Sequence, residues 1–370
     1  MRIRDLADAM EQIAPTRLAE DWDNVGLLIG DPAAEAGRVM LCIDLTDAVL
    51  DEAVAHSCQA VVAYHPPIFR PIKQITPAAC PVAWRAIEAG IAVYSPHTAL
   101  DIAAGGTNDV LAEALELINV RPLQPAGPQQ QAKVVIFLPE TDLDAVSGAA
   151  FEAGAGRIGL YDHCSFYGSG TGTFRGGPGS DPTVGRPGRK ESASEVRLET
   201  ICPQGRVAEV VHAVREAHSY QTPAIDIYPV GSPEEDRIGM GRVGELAVPA
   251  ELDRLVETVK TAFSLPGVLL VRGRGPTAST RISRVAVAAG SCGSIFRSAV
   301  EAGAELYLTG EMRHHDALAA AAAGLHVVAL CHSNSERIAL ANLAETLTER
   351  IEDDVELFIS ERDADPFTIA

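Results

Sequence analysis

Three short apolar runs in this chain each end in a histidine, and that repetition limits the possible folds more than any other feature. Ala60-Val-Val-Ala-Tyr-His65 stops at Pro66 and Pro67, which forbid a strand from continuing. Ile91-Ala-Val-Tyr94 runs into Ser95-Pro-His97, with Asp101 four residues on; His326-Val-Val-Ala-Leu330 runs into Cys331-His332, with Glu336 four residues on. Short apolar runs bounded in this way read as buried strands, and in parallel α/β folds chemistry gathers just beyond the carboxyl ends of strands. The three ends are expected to converge on one metal site.

The rest of the chain supports an α/β fold. A polar cluster from Glu20 to Asn24 opens into an apolar run, a turn leading into a strand. Strands are expected over 39–44, 60–64 and 91–94, with helices over 48–55, 82–89 and after Gly106. Residues 124–131 read as a linker. Beyond it, strands over 133–138, 196–201 and 224–228 alternate with helices over 144–153 and 207–217, which suggests a ferredoxin-like α+β domain. The glycine-rich stretch 168–188 lacks the order of a phosphate loop and reads as a long surface loop. From about Ile238 the alternation resumes: helices over 252–263, 295–302, 315–323 and from Ser335, strands over 268–271, 282–288, 305–308, 326–330 and 355–359. The outer segments thus read as two halves of one α/β unit, 1–130 and 232–370, with 131–231 inserted between them.

Composition narrows the partners. Fifty acidic against thirty basic side chains give a net charge of −20, which disfavours a phosphate backbone, so no nucleic acid is expected. Seven scattered cysteines with no C-x-x-C pair argue against a disulfide scaffold and for a reducing, cytoplasmic setting. Acidic residues sit where a signal peptide needs an apolar core, and no run reaches the roughly 18 apolar residues of a membrane span. The expected ligand is a small-molecule substrate of unknown identity.

His65, Asp101, His332 and Glu336 supply two nitrogens and two carboxylates, a donor set that suits zinc, iron or manganese without selecting among them. A dinuclear site needs a carboxylate to bridge or flank ions roughly 3.5–4 Å apart. Glu336 has a competing role, because Ser333-Asn-Ser-Glu336 fits a capping box. His97 is open to two roles, ligand or catalytic proton carrier beside Asp101, and the second is favoured. His314 and His315, adjacent on a helix, point about 100° apart and are assigned to the pocket rim or to structure. His163, His212 and His218 fall in the insert. Cys331 beside His332 would face the opposite side of a strand, and no G-x-S-x-G elbow is present.

Several of these stretches resemble one known family. Trp22-Asp-Asn-Val-Gly-Leu-Leu-Ile-Gly30, Tyr64-His-Pro-Pro-Ile-Phe69, Ser95-Pro-His-Thr-Ala-Leu-Asp101, Thr309-Gly-Glu311 and His332-Ser-Asn-Ser-Glu336 are similar to motifs of the Nif-three-like dinuclear-metal-centre family, whose members are often labelled GTP cyclohydrolase 1 type 2 homologs. The insert, around Gly154 to Phe166, resembles the PII/CutA-like domain of the family's longer members. The resemblance implies a homohexamer and a ligand pattern of two adjacent histidines, an aspartate, a third histidine and a glutamate. His65, Asp101, His332 and Glu336 match; the first histidine of the adjacent pair is replaced by Tyr64, so one or two divalent ions per subunit are implied. The expected function is a metal-dependent hydrolase, GTP cyclohydrolase-like by resemblance, against the alternative of a non-catalytic metal scaffold or carrier. A third reading makes the insert a small-molecule sensor.

Overall fold

The computed structural model describes the whole chain except residues 127–130, 159–160, 231–236, 276–277, 279, 352–354 and 369–370. In chain order its elements are α1 (Ile3–Ile13), β1 (Gly26–Ile29), β2 (Arg38–Cys42), α2 (Asp47–Ala55), β3 (Ala60–Ala63), α3 (Pro81–Glu88), β4 (Ala92–Ser95), α4 (His97–Ile102), α5 (Thr107–Ala114) and β5 (Leu117–Pro125). Then follow β6 (Gln131–Leu138), α6 (Leu143–Glu152), β7 (Ser165–Arg175), β8 (Lys190–Pro203), α7 (Val207–Ala217) and β9 (Ile225–Val230). The remainder holds β10 (Gly239–Glu251), α8 (Leu252–Ala262), β11 (Leu269–Val271), β12 (Arg281–Ala288), α9 (Phe296–Glu301), β13 (Leu306–Thr309), α10 (His314–Ala322), β14 (His326–Ala329), α11 (His332–Arg337), α12 (Ala339–Arg350) and β15 (Glu356–Ile359). Two compact units result: Met1–Ala126 with Asp236–Ala370, and Gly127–Glu235.

The first unit contains two sheets, ordered β1-β4-β3-β2-β15 and β11-β14-β13-β12-β10-β5. Each borrows a strand from the other end of the chain. β15 lies parallel to β2, and β5 runs antiparallel to β10 with Gly239 opposite Pro125 and Leu246 opposite Leu117. In the first sheet β4, β3, β2 and β15 are parallel; in the second, β12, β13 and β14 are. Parallel strands are covered on both faces, which is why β3 and β14 are buried throughout and, but for His326, apolar. Alternate side chains separate the two cores of the first sheet. Val39, Leu41 and Val62 pack with Ile3, Leu6 and Met10 of α1 and Leu343 of α12; Met40, Val61 and Val93 pack with Val49 and Leu50 of α2. Each fully buried Val, Leu or Ile contributes roughly 1.5–3 kcal/mol. The second sheet is likewise layered between α5 and α8 on one face and α9 and α10 on the other. Among the described residues no helix is long and apolar enough to cross a membrane.

The second unit has a four-stranded antiparallel sheet, order β7-β8-β6-β9, whose Val134, Ile136 and Leu198 pack against Val146 of α6 and Val210 and Val214 of α7. Residues 168–175, expected in a loop, belong instead to β7, paired along its length with β8. Gly172 makes room for a side chain of the partner strand: a Cβ there would come within 2.0 Å of Glu195 Oε2, whereas Gly168 and Gly170 face open space. The 124–131 segment expected as a linker contains the end of β5 and the start of β6, and its residues 127–130 lie outside the described residues, as does the 231/232 boundary. Strands β5 and β10 have no counterpart in the sequence expectation.

Candidate metal centre

The two parallel strand sets of the first unit present their carboxyl ends to one cleft of about 500 Å³. From the first sheet, β2 leads to Asp44, β3 to His65, and β4 to His97 and Asp101. From the second, β12 leads to Gly290, β13 to Glu311, and β14 to His332 and Glu336. The His65 and His332 rings lie 5.2 Å apart between centroids. His65, His332 and Glu336 offer ligand atoms that all fall within 4.8 Å of one another, a group that could hold a metal ion.

Glu336, 3% exposed, stands between the two imidazoles. Its Oε2 is 3.2 Å from His65 Nε2 and its Oε1 3.3 Å from His332 Nε2. His65 Nε2 and Glu336 Oε2 are buried without a hydrogen-bond partner: they face each other but are not aligned for a bond. Buried nitrogen and oxygen left unpaired are costly. The capping box weighed as a competing role for Glu336 does not form. Instead α11 starts at His332, Ser333 Oγ binds Asp365 Oδ2 at 2.8 Å, and the glutamate turns into the cleft.

Outer carboxylates aim both rings. His65 Nδ1 pairs with Asp44 Oδ1 at 2.9 Å, and His332 Nδ1 lies 3.4 Å from Glu311 Oε2. Such partners fix the tautomer and leave Nε2 free for a cation. Burial works against charge on His65, but the Asp44 hydrogen bond and the Glu336 carboxylate outweigh it and raise its pKa to about 10. The Glu336 bond raises His332 to about 9 against its burial. Burial raises the Glu336 carboxyl, yet His332 and His65 hold it below the usual range. Carboxylates thus surround the rings, and the centre favours positive charge.

His97 and Asp101 line the same cleft outside this group of three. His97 has φ +34°, in the left-handed region, and its Nδ1 bonds Asp23 Oδ1 at 2.7 Å. Its ring stands 5.3 Å from that of His65. Asp101 is buried and accepts a hydrogen bond from the Tyr64 hydroxyl. Burial and the nearby Glu336 charge raise the Asp101 carboxyl to about 7. Trp22 and Phe69, largely exposed with ring centroids 5.8 Å apart, flank the mouth. Gly290, at φ +63°, closes the back: a Cβ there would meet Glu336 Oε1 at 2.5 Å. Ser335 Oγ accepts from Gly290 N at 2.8 Å and donates to the His332 carbonyl at 2.6 Å, clamping loop to helix.

Cys331 lies between β14 and α11 at φ +71°, not within a strand. His314 and His315 are exposed at the start of α10 and do not line the cleft, and His163, His212 and His218 belong to the second unit. Asp44, Asp23 and Glu311 were not among the expected site residues. Asp44 carried a readable signal, because it follows β2 as His65 follows β3.

Fold and site define an α/β protein with a His/His/Glu centre at the carboxyl ends of its parallel strands. The profile of Duf34/NIF3 (NGG1p interacting factor 3) matches residues 1–366, and the chain belongs to this family. It is 36% identical over 363 residues to the GTP cyclohydrolase 1 type 2 homolog of Halalkalibacterium halodurans, covering 97% of this chain and 96% of that one. It is 34% identical over 380 residues to NIF3-like protein 1 of Mus musculus, covering 100% and 93%. Among solved structures, the Bacillus cereus protein related to NIF3 aligns with TM-score 0.71 at 33% identity, covering 100% of this chain and 99% of that one.

Proposed function

We propose that the chain is a metal-dependent hydrolase in which His65, His332 and Glu336 hold a divalent cation, zinc, iron or manganese. The observation that carries this reading is the convergence of ligand atoms of His65, His332 and Glu336 within 4.8 Å of one another, with His65 Nε2 and Glu336 Oε2 buried and 3.2 Å apart but making no hydrogen bond. A cation at this centre supplies Lewis acidity, activating water for attack on an electrophilic carbon or phosphorus. Asp44 and Glu311 hold the two imidazoles in place. His97, oriented by Asp23, is the proton carrier of the cleft. Trp22 and Phe69 give the mouth a surface for a planar ring. The name carried by the bacterial relatives makes GTP the first substrate to try.

In a screen that begins with GTP, turnover is expected to need the metal and to disappear in the His332→Ala, Glu336→Ala double variant. GTP hydrolysis persisting in that variant would sink the hydrolase assignment. If no substrate in a broad panel turns over while bound metal passes to an apo-acceptor, the centre belongs to a metal scaffold or carrier. Asp44→Asn keeps an acceptor for His65 but removes its charge. Metal affinity, measured by competition with a chelator, is expected to fall about 10–100-fold; an unchanged affinity would remove Asp44 from the centre. The same proposal includes a homohexameric assembly and a PII/CutA-like identity for 131–231, open to sedimentation analysis of the full-length protein.

A further inference from the structure

We propose, on the reading that His65, His332 and Glu336 are ligands, that Asp363 is a positioning residue of their centre. Its carboxylate joins the end of β2 to α11 and so sets how far His65 stands from His332 and Glu336.

The three ligands come from two sheets. His65 follows β3 of the first, whereas His332 and Glu336 lie on α11, which follows β14 of the second. A cation site works only when its ligands are held to within about 0.5 Å of their places by supporting groups. The end of one sheet must therefore be tied to the helix beyond the other.

The segment after β15 makes that tie. The Asp363 side chain is only 1% exposed. Its Oδ2 accepts from Ile43 N at 2.6 Å, and its Oδ1 lies 3.5 Å from Asp44 N. Ile43 and Asp44, just past β2, hold His65 twice: the Ile43 carbonyl accepts from His65 N at 2.9 Å, and Asp44 Oδ1 pairs with His65 Nδ1. The same carboxylate receives Arg337, the residue after Glu336. Arg337 Nη1 donates to Oδ2 at 2.5 Å and to the Asp363 carbonyl at 3.0 Å, and Nη2 lies 3.4 Å from Oδ1. Ser333, the residue after His332, accepts from Arg337 Nη2 at 3.3 Å and gives its own hydrogen to Asp365 Oδ2 at 2.8 Å.

Each group that the Asp363 carboxylate holds is thus bonded to a ligand residue or next to one in sequence. A buried carboxylate must be paired to remain charged, and a guanidinium fork fixes direction as well as distance. Asp363→Asn keeps the size and one acceptor oxygen. It removes the charge and turns the second oxygen into an amide donor, which then faces the arginine or a backbone N–H.

The test is Co²⁺ binding by metal-free full-length protein, with affinity read by chelator competition and ligand geometry by the visible absorption of the bound ion. Asp363→Asn is expected to bind about 10–100-fold more weakly, as loss of an outer partner typically does, and to alter the absorption. Val259→Ala, which opens a cavity in the core beside α8, is expected to lower the melting midpoint and leave both readouts at wild-type values. An Asp363→Asn protein that melts earlier yet keeps wild-type affinity and absorption would overturn the inference while leaving the three-ligand centre standing. So would a Val259→Ala protein changed as much as Asp363→Asn. Where Asp363→Asn does not fold, Arg337→Lys decides: one ammonium cannot replace the fork, so affinity should again fall, and an unchanged affinity would overturn the role of the pair. No Co²⁺ binding in wild type, or binding undiminished in His332→Ala, would remove the centre itself and the inference with it.

Discussion

Arg242→Ala is expected to destabilise the first unit by about 3–5 kcal/mol, the magnitude associated with breaking a buried ion pair from one side. Arg242 is 1% exposed on β10, and all five of its guanidinium hydrogens are used. Nε and Nη2 grip the Asp109 carboxylate of α5 at 2.6 and 2.7 Å. Nη1 donates to the carbonyls of Gly239 and Gly241, and Nη2 to that of Ala103 just past α4. One side chain from the C-terminal segment thus fastens the two helices that follow β4, including the one carrying Asp101. Truncation leaves a carboxylate and three carbonyls without their donor, and a lysine cannot restore the fork. Urea unfolding should show a lower midpoint with an unchanged slope. A loss below about 1 kcal/mol, the ordinary cost of a point change, would mean that water replaces the arginine and that the clamp is incidental.

The second large effect is expected at Glu336. Glu336→Gln is close to isosteric, so folding should survive, but the amide cannot present an anionic oxygen to both His65 Nε2 and His332 Nε2. Loss of a direct ligand should exceed the roughly 10–100-fold reduction in metal affinity typical of outer partners. Chelator competition on wild type, Asp44→Asn and Glu336→Gln should therefore rank them in that order of decreasing affinity. Equal affinities for wild type and Glu336→Gln would show that the carboxylate is structural.

What the sequence made legible was the part of the site written in strand periodicity. A buried parallel strand is an apolar run, and a polar residue just past it stands out, so His65, His97 and His332 could be placed at strand ends before any coordinates. Asp44 sits in the same kind of position, two residues past β2 as His65 is two past β3. The capping-box pattern at Ser333–Glu336, the alternative to a ligand role, goes unused for a physical reason. Local hydrogen bonding competes with tertiary demand, and here the imidazole of His65, far away in sequence, claims the carboxylate. Strands β5 and β10 were invisible because Pro122, Pro125, Gly241, Gly244 and Pro249 give them the composition of a linker; antiparallel pairing with irregular register tolerates these residues. Arg242 could not be found at all, since hydropathy assigns an arginine to the surface. Tyr64 was visible as a replacement, but its partners Asp101 and Thr107 come together only through the turns after β3 and β4.

The most direct test of the three-residue centre is X-ray absorption at the edge of whichever metal elemental analysis finds in the purified protein. For zinc, the arrangement predicts scattering from two imidazoles and carboxylate oxygen at roughly 2.0–2.2 Å, with one imidazole lost in His332→Ala. A sulfur shell near about 2.3 Å, from Cys292 or Cys331 at the margin of the site, or a spectrum without imidazole, would contradict it.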